Sequence, residues 1–412
     1  MCSGDCNQLT PCGSTSHGTC EDVRDSRVQR GVGGAINSHR RRKTLMLTLT
    51  EACNLACRYC YESNRFNRKM PLSVAQDAIA RHFRESQSFD EMEISFHGGE
   101  PLLEFEMLRR ICEWLWEREW QKPYICYATT NGTLVHGAVQ DWAAQHRAEF
   151  YLGLSLDGTP WMHNLNRSDS YERIDIAFFR RTWPDQPAKM TISDATLPRL
   201  AEGVRHLHES GILFHCNFAH GIDWLKGGAV TTLTAQIQKL MVYYLAHPEI
   251  TPCALMMMKL DVIGARCRRA GARNELSGED GLPKWCGVGT DMVAVDVDGR
   301  EYPCQTLLPN TMGRLADQYR CFNFSDRSSL QDERCKGCVL LPICPTCYGS
   351  NILANGHPAL RDMGICTLTK IRALGSSSLQ AQMLVRREDF AAFRELEPWA
   401  LLDTIRGIEA VQ

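Results

Sequence analysis

Strand-like and helix-like stretches alternate through the first half of the chain, and this alternation constrains the fold more than any other feature. Most strand-like stretches precede a helical segment, such as the one in which Ala75, Ile79 and Phe83 recur four residues apart. Such alternation predicts βαβ units and a parallel sheet. Six units, ending near residue 246, are too few for a closed eight-stranded barrel, so an α/β fold with a partial barrel or an open sheet is expected. The six stretches are 45–50, 92–96, 124–132, 150–158, 188–193 and 212–221.

Residues with useful chemistry stand directly after several of these strands. Three cysteines follow the first strand, and the sequence HGGE (97–100) follows the second. The third strand runs into TNG (130–132) and the fourth into DG (157–158). Because ligands of parallel α/β proteins bind at the carboxyl ends of the strands, these segments predict one active site.

The loop after the first strand contains Cys53, Cys57 and Cys60, with three and then two residues between them. A tetrahedral zinc site needs four ligands, and a disulfide framework needs an even number of cysteines. A four-iron cluster, by contrast, can be held by three thiolates that leave one iron for another ligand. The alternatives are a zinc site completed elsewhere in the chain and three unrelated thiols. The tight spacing argues against coincidence.

Composition indicates where such a site would operate. The 412 residues suffice for about two or three compact units, and no apolar run is long enough to span a membrane. The N-terminus lacks the features of a signal peptide, which predicts a cytoplasmic protein. In a reducing compartment, 20 cysteines indicate metal or cluster binding rather than a disulfide framework. A net charge of −2 gives no strong overall field for nucleic acid.

A second set of cysteines lies in the C-terminal third: Cys286, Cys304, Cys335, Cys338, Cys344, Cys347 and Cys366. Between the first two, alternating valines and the pair Asp298-Gly299 predict a β-hairpin with a type I′ turn, which would bring Cys304 back toward Cys286. Taken alone, the four cysteines from 335 to 347 could form a zinc ribbon, although their central gap is short for one.

The three-cysteine loop, with Tyr59 just before its last cysteine, resembles the signature of the radical S-adenosylmethionine (SAM) superfamily. GGEP (98–101), TNG (130–132) and SLDG (155–158) resemble the family's segments after the second, third and fourth strands. His97 is either a cofactor contact or a structural histidine, and His163 lies beyond the fourth strand. The resemblance spans roughly 45–220 and implies that SAM contacts Tyr59, Gly98, Gly99, Glu100, Pro101, Asn131, Ser155, Asp157 and Arg167.

This resemblance also implies the chemistry. The iron left open by Cys53, Cys57 and Cys60 would chelate the amino and carboxylate groups of SAM. One electron, delivered by an external donor of the flavodoxin or ferredoxin type, would release a 5′-deoxyadenosyl radical. That radical would take a hydrogen atom from the substrate, while the protein supplies orientation and excludes water.

The C-terminal cysteines resemble a SPASM domain, which implies two auxiliary four-iron clusters. The family pattern assigns Cys286, Cys304 and Cys347 to one cluster and Cys335, Cys338, Cys344 and Cys366 to the other. Two departures stand out. The last cysteine pair is separated by two residues instead of the usual three. The first cluster also lacks an obvious fourth cysteine, so either Cys321 serves or the position is open to another ligand.

These observations predict a partial (β/α)6 TIM-type barrel followed by a small cysteine-rich domain with a β-hairpin. The expected divisions are a flexible tail with cysteines and arginines (1–43), the radical SAM core (44–246), a linker (247–284), the SPASM domain (285–375) and a C-terminal helix (376–412).

The substrate is the least constrained feature. Enzymes of this class mostly modify peptides or proteins, so a peptide or protein side chain is the first expectation. A second is an amino-acid-bearing nucleobase of hypermodified viral DNA, which the basic run at 40–43 supports only weakly. A third is a small-molecule alcohol, and a binding module without activity would leave GGEP and SLDG unexplained. The neighbouring genes would discriminate between these substrates, since a short reading frame favours a peptide and base-modifying genes favour DNA.

Overall fold

The computed structural model describes residues 41–258, 286–326 and 328–386 of the chain. Most of the predicted tail (1–43), most of the predicted linker (247–284) and the end of the predicted C-terminal helix (376–412) lie outside the described residues.

Strands and helices alternate in the described core as the sequence predicts. The strands are β1 Arg42–Thr50, β2 Glu91–Gly98, β3 Tyr124–Thr130, β4 Phe150–Leu154, β5 Ala188–Ile192, β6 Phe214–Phe218, β7 Met292–Val295 and β8 Glu301–Tyr302. The helices are α1 Leu72–Glu85, α2 Phe105–Trp116, α3 Ala138–Gln145, α4 Pro160–Asn166, α5 Ile176–Thr182, α6 Leu200–Glu209, α7 Ala229–Ala246, α8 Pro309–Met312, α9 Leu315–Arg320, α10 Tyr348–Asn355 and α11 Met363–Arg386.

The first six strands all pair in parallel and fall into two sheets. One sheet has the order β4-β3-β2-β1-β7-β8, and β5 and β6 form a separate parallel pair. A single parallel bridge between Ser155 and Lys189 connects the end of β4 to β5. The predicted α/β fold with a parallel sheet is confirmed, and the arrangement is that of a partial barrel.

Buried apolar residues explain why these segments form the core. Leu45, Leu47 and Leu49 of β1 are completely buried, and α1 packs Ile79 and Phe83 against the same core. Burial of each such side chain stabilises the fold by roughly 1.5–3 kcal/mol. The residues that the sequence places four apart therefore form the face of α1 that covers the sheet.

The hairpin of the cysteine-rich region joins the core sheet, because β7 pairs parallel with β1 and antiparallel with β8. The predicted type I′ turn is wrong, since it requires a positive φ at Asp298. Among described non-glycine residues only Ser168 and Asp169 have positive φ, whereas Gly299 has φ +84°. The Asp296 amide donates to the Arg300 carbonyl at 3.0 Å, so the hairpin closes with three loop residues and a glycine bulge.

The last described helix extends farther toward the N-terminus than predicted. Helix α11 begins at Met363, so the expected boundary at 375 falls inside a continuous helix. Leu368 and Leu379 on this helix are completely buried in the main core. Among the described helices, none combines the length and the apolar composition that a membrane span requires.

Candidate functional site

The loop with Cys53, Cys57 and Cys60 leaves the carboxyl end of β1 and lies against the end of β2. The amide of Gly99 donates to the Thr50 carbonyl at 3.0 Å, and that of Glu100 donates to the Ala52 carbonyl at 2.9 Å. A Cβ atom on Gly99 would lie 2.2 Å from the Ala52 carbonyl oxygen. The two segments approach so closely that only glycine fits, which explains this part of the GGEP sequence.

The end of β3 holds the cysteine loop from a second side. Asn131 Nδ2 donates to the side-chain oxygen Oδ1 of Asn54 at 2.8 Å, and Asn54 Nδ2 in turn donates to the Thr133 hydroxyl at 2.8 Å. The predicted Asn131 therefore contacts the loop directly. Sequence reasoning did not identify Asn54, which lies immediately after the first cysteine.

Asp157 connects the segment after β4 to the same loop. Its buried carboxylate accepts hydrogen bonds from the Tyr59 hydroxyl at 2.6 Å, from Arg167 Nε at 3.0 Å and from the Thr191 amide at 2.8 Å. The Arg167 guanidinium also lies over the Tyr59 ring, 5.3 Å from its centroid. Three residues that the resemblance assigns to SAM thus form one buried network.

The end of α4 fixes the loop backbone. The Arg58 amide donates to the Asn166 carbonyl at 2.8 Å, and the Ala56 amide donates to the Ser168 hydroxyl at 3.1 Å. Ser168 has φ +54°, in the left-handed region that costs energy for a residue with a side chain. One of the two described non-glycine residues with positive φ therefore holds the cysteine loop.

Glu100 has its carboxylate committed to the protein. It accepts hydrogen bonds from the Thr130 hydroxyl at 2.8 Å, from the Asn131 amide at 2.8 Å and from the Leu102 amide at 3.2 Å. Burial raises the pKa of Glu100 to about 7. The side chain braces the ends of β2 and β3, and a contact between this carboxylate and SAM stays a prediction.

Two histidines near the motifs lie against buried polar groups, and a contact between His97 and the cofactor stays a prediction. His163 is completely buried, with its ring between the Asp157 amide at 3.3 Å and the Ser170 hydroxyl at 3.0 Å. Burial lowers the pKa of His163 to about 4, so the ring is neutral at neutral pH. His97 Nε2 lies 3.0 Å from a carboxylate oxygen of the buried Glu62.

Arg65 is a basic residue beside the cysteine loop that the sequence interpretation missed. Its Nε donates to the Glu62 carbonyl at 3.2 Å, and Nη1 donates to the Leu55 carbonyl. Burial alone would lower the pKa of Arg65, but the thiols of Cys60, Cys53 and Cys57 outweigh it and raise that pKa.

The loop thiols need a positive partner to ionise. Burial raises the pKa of Cys53 to about 11 and also raises that of Cys57. A positively charged metal centre would favour the thiolate form of both residues. Three thiols on one loop at a strand end are suited to serve as the thiolate ligands of such a centre.

The C-terminal cysteines fall into two groups. Burial raises the pKa of Cys304 to about 12, and the nearby thiols of Cys347 and Cys286 add to the rise. Burial also raises the pKa of Cys347, a hydrogen bond from the Ser350 amide opposes that rise, and the thiol of Cys286 adds to it. In the other group, burial raises the pKa of both Cys335 and Cys344, and Cys366 adds to the rise at each of them. Cys338 contributes to the same rise at Cys344.

This grouping bears on the zinc alternative. A zinc ribbon from 335 to 347 would need Cys347 beside Cys335, whereas Cys347 lies with Cys286 and Cys304. Within the described ranges, no three His, Cys, Asp or Glu side chains converge tightly enough to hold a single metal ion. Thiolates of a four-iron cluster bind different irons and so stand farther apart than the ligands of one zinc ion. Cys321 is exposed at the end of α9, whereas Cys304 is buried.

Tyr61 lies between the N-terminal loop and the first C-terminal group. Burial raises its pKa, and Glu62, Cys60, Cys304 and Cys347 all add to the rise. Its ring meets the ring of His220, which follows β6, edge-on with the centroids 6.1 Å apart. The one signal in the sequence was the position of Tyr61 directly after the last loop cysteine.

Comparison with known proteins finds sequence similarity over part of the chain. Residues 42–168 match a family described as a 4Fe-4S single cluster domain. The cysteine-type anaerobic sulfatase-maturating enzyme of Clostridium perfringens (strain 13 / Type A) is 31% identical over 134 residues, covering 30% of this chain and 35% of that enzyme. The serine-type enzyme of Klebsiella aerogenes is 33% identical over 138 residues, covering 31% and 33%. The chain thus spans about a third of the length of the curated relatives it matches.

Similarity to solved structures extends over most of the chain. The structure of native anSMEcpe with bound AdoMet has a TM-score of 0.60 at 17% identity and covers 82% of this chain and 99% of that chain. Streptococcus suis SuiB bound to precursor peptide SuiA has a TM-score of 0.54 at 17% identity, covering 79% and 76%. At these identities the likeness shows the fold. The chain is thus similar to an iron–sulfur cluster domain over residues 42–168, similar in part of its sequence to sulfatase-maturating enzymes, and similar in fold to anSMEcpe and SuiB over most of its length.

Proposed function

We propose that this protein cleaves SAM reductively and uses the resulting radical to abstract a hydrogen atom from a peptide or protein side chain. The observation that carries the proposal is the cysteine loop at the end of β1, fastened by the ends of β2, β3 and α4. Cys53, Cys57 and Cys60 would hold a four-iron cluster there. When bound, that cluster supplies the electron that cleaves the C–S bond of SAM.

The surrounding residues would bind and orient SAM. The glycine segment at 98–101 offers backbone groups beside the loop, and Asn131 and Ser155 stand at the ends of neighbouring strands. The network of Tyr59, Asp157 and Arg167 would keep the loop and the strand ends in fixed relation. Positioning of this kind is what the protein contributes to cofactor chemistry.

The C-terminal cysteines would hold two auxiliary four-iron clusters. One would be bound by Cys286, Cys304 and Cys347, with a fourth position that is open or filled by a ligand other than cysteine. The other would be bound by Cys335, Cys338, Cys344 and Cys366. Their grouping in the structure supports this assignment. A reducing, cytoplasmic setting with a flavodoxin- or ferredoxin-type donor suits such thiolate ligands.

The relatives and the fold support a peptide or protein as substrate. The matched enzymes are named sulfatase-maturating, and one structure of the same fold, SuiB, carries its precursor peptide. No observation on the described residues favours a nucleobase or a small alcohol over a peptide. Co-expression with a short reading frame from the same locus, followed by mass spectrometry of its product, would test the substrate class.

The first step can be tested without a substrate. After anaerobic reconstitution the protein should bind about twelve irons if all three sites hold four-iron clusters. With dithionite and SAM it should release 5′-deoxyadenosine, and Cys57→Ala should abolish that release. Cys112→Ala, which changes a buried cysteine of α2, is the matched control and should leave the release intact. Zinc in place of iron, or undiminished 5′-deoxyadenosine from Cys57→Ala, would contradict the proposal.

A further inference from the structure

Arg361 presents a buried guanidinium to the C-terminal cysteines. It lies in the loop between α10 and α11 and is 2% exposed. Its Nη2 donates to the Cys344 sulfur at 3.0 Å. The other two nitrogens, Nε and Nη1, are buried without a hydrogen-bond partner in the described part of the chain. Buried arginine nitrogens are normally paired, so this side chain has donors to spare for a group between the cysteines.

The backbone of Arg361 is fixed independently of its side chain. Its amide donates to Asp332 Oδ2 at 2.7 Å, and its carbonyl accepts from Asn355 at 3.2 Å and from Arg334 at 3.3 Å. The Asp332 carboxylate is also bound by the Arg334 guanidinium, at 2.6 Å through Nη2. Asp332 therefore anchors the main chain of the loop, while the Arg361 guanidinium remains available to the sulfur atoms.

The contact with Cys344 places the Arg361 guanidinium at one of the two cysteine groups, the one formed by Cys335, Cys338, Cys344 and Cys366.

We propose that Arg361 is a positioning residue for the auxiliary cluster at Cys335, Cys338, Cys344 and Cys366, and that its buried charge and N–H donors raise the reduction potential of that cluster. The inference rests on the proposed function, because it requires clusters at these cysteines. Hydrogen bonds to the sulfurs and positive charge in a water-poor environment stabilise the more negative, reduced form of a cluster. The two unpaired nitrogens are suited to donate to cluster sulfur once a cluster is present. A solvent-exposed cation in the same loop would be screened and would matter far less.

The experiment compares Arg361→Gln and Arg361→Lys with Lys336→Gln. Lys336 lies between Cys335 and Cys338, but its side chain is 63% exposed and paired with Glu333. Each variant is made with Cys53, Cys57 and Cys60 replaced by alanine, so that only the auxiliary clusters titrate. The full chain is reconstituted anaerobically and assayed for iron and sulfide. Its clusters are then titrated potentiometrically by electron paramagnetic resonance.

We expect Arg361→Gln to shift one auxiliary potential to a more negative value, Arg361→Lys to shift it less, and Lys336→Gln to leave both auxiliary potentials nearly unchanged. Unshifted potentials in a fully loaded Arg361→Gln protein would overturn the inference, as would an equal shift in Lys336→Gln. Failure of the alanine background itself to bind iron would instead count against the proposed clusters.

Loss of iron in Arg361→Gln is also informative. In the chain that retains the N-terminal loop cysteines, loss of about four irons with the loop iron retained would support a role at that auxiliary site. Loss of iron from every site together, with altered circular dichroism, would show a general folding role and overturn the inference.

Discussion

The Tyr59 hydroxyl donates a 2.6 Å hydrogen bond to the carboxylate of Asp157, which joins the cysteine loop after β1 to the segment after β4. Asp157 is completely buried and also pairs with Arg167 at 3.0 Å. The two segments are about a hundred residues apart in the chain, and a side-chain contact sets their distance. The position of the loop therefore depends on residues outside it.

We predict that Tyr59→Phe destabilises the apoprotein, because it leaves a buried carboxylate with one donor fewer. The cost should be about 1–3 kcal/mol in the free energy of unfolding, measured by urea denaturation under anaerobic conditions. The control is Tyr243→Phe, because the Tyr243 ring on α7 packs against the rings of His208 and His247. It should cost less than about 0.5 kcal/mol in the free energy of unfolding. Equal losses in the two variants would contradict the assigned role of Tyr59.

Gly99→Ala should disrupt the cysteine loop itself. The new Cβ would lie 2.2 Å from the Ala52 carbonyl oxygen and 2.9 Å from Cys53 Cβ, so the loop must move. Reconstituted protein should then lose about four of its roughly twelve irons and fail to release 5′-deoxyadenosine from SAM.

The control for that variant is Gly227→Ala, at a glycine with φ +65° and no atom within 4 Å of the added Cβ. It carries backbone strain of roughly 1 kcal/mol but no steric clash. Full iron content is expected for Gly227→Ala. Full iron content in Gly99→Ala would show that the close approach is not needed.

The sequence was sufficient to predict the parallel strands and the strand-end motifs, because both depend on short-range patterns. Alternating apolar residues mark a strand, and ligands gather at strand ends wherever the sheet is parallel. The cysteine spacing likewise depends on local chain geometry. These predictions needed no knowledge of which distant segments meet.

Long-range contacts were beyond the sequence. The parallel pairing of β7 with β1 could not be predicted, since a short apolar strand such as Met292–Val295 fits the edge of many sheets. Arg361 stands in a polar stretch that would ordinarily face solvent, yet the anchoring of its backbone by Asp332 turns the side chain inward. The prediction of a type I′ turn at Gly299 was wrong because Asp-Gly pairs also occur in hairpins with three loop residues.

Folding stability should depend on the protonation of His163. Burial lowers its pKa to about 4 from an ordinary 6.5, so the folded state favours the neutral ring. Between pH 4 and pH 6.5 the unfolded chain binds more protons than the folded chain. The stability that the neutral His163 ring contributes is therefore complete above pH 6.5 and is lost as the pH falls toward 4. The loss should be about 3 kcal/mol.

The measurement is the difference in unfolding free energy between wild type and His163→Gln, by urea denaturation from pH 4.5 to 7.5. A difference is needed because burial raises the pKa of Glu100 to about 7, which gives the wild type an opposite pH dependence in part of this range. The difference should shrink as the pH falls. His208→Gln, at a half-buried residue of α6 whose pKa is also lowered by burial, should show a smaller change. A flat difference for His163→Gln would contradict a buried neutral ring.

The grouping of the C-terminal cysteines predicts how paired substitutions combine. Cys304 and Cys347 belong to one group, and Cys338 belongs to the other. Cys304→Ser with Cys347→Ser should therefore lose no more iron than either change alone, about four atoms per chain, because one cluster is lost only once. Cys338→Ser with Cys347→Ser should lose about eight iron atoms per chain, because it affects both clusters.

The control is Cys253→Ser, at a buried cysteine outside both groups, which should retain all the iron. If Cys338→Ser with Cys347→Ser lost only as much as one substitution, the two residues would share a site, as in a zinc ribbon, and zinc analysis of the same samples would reveal it.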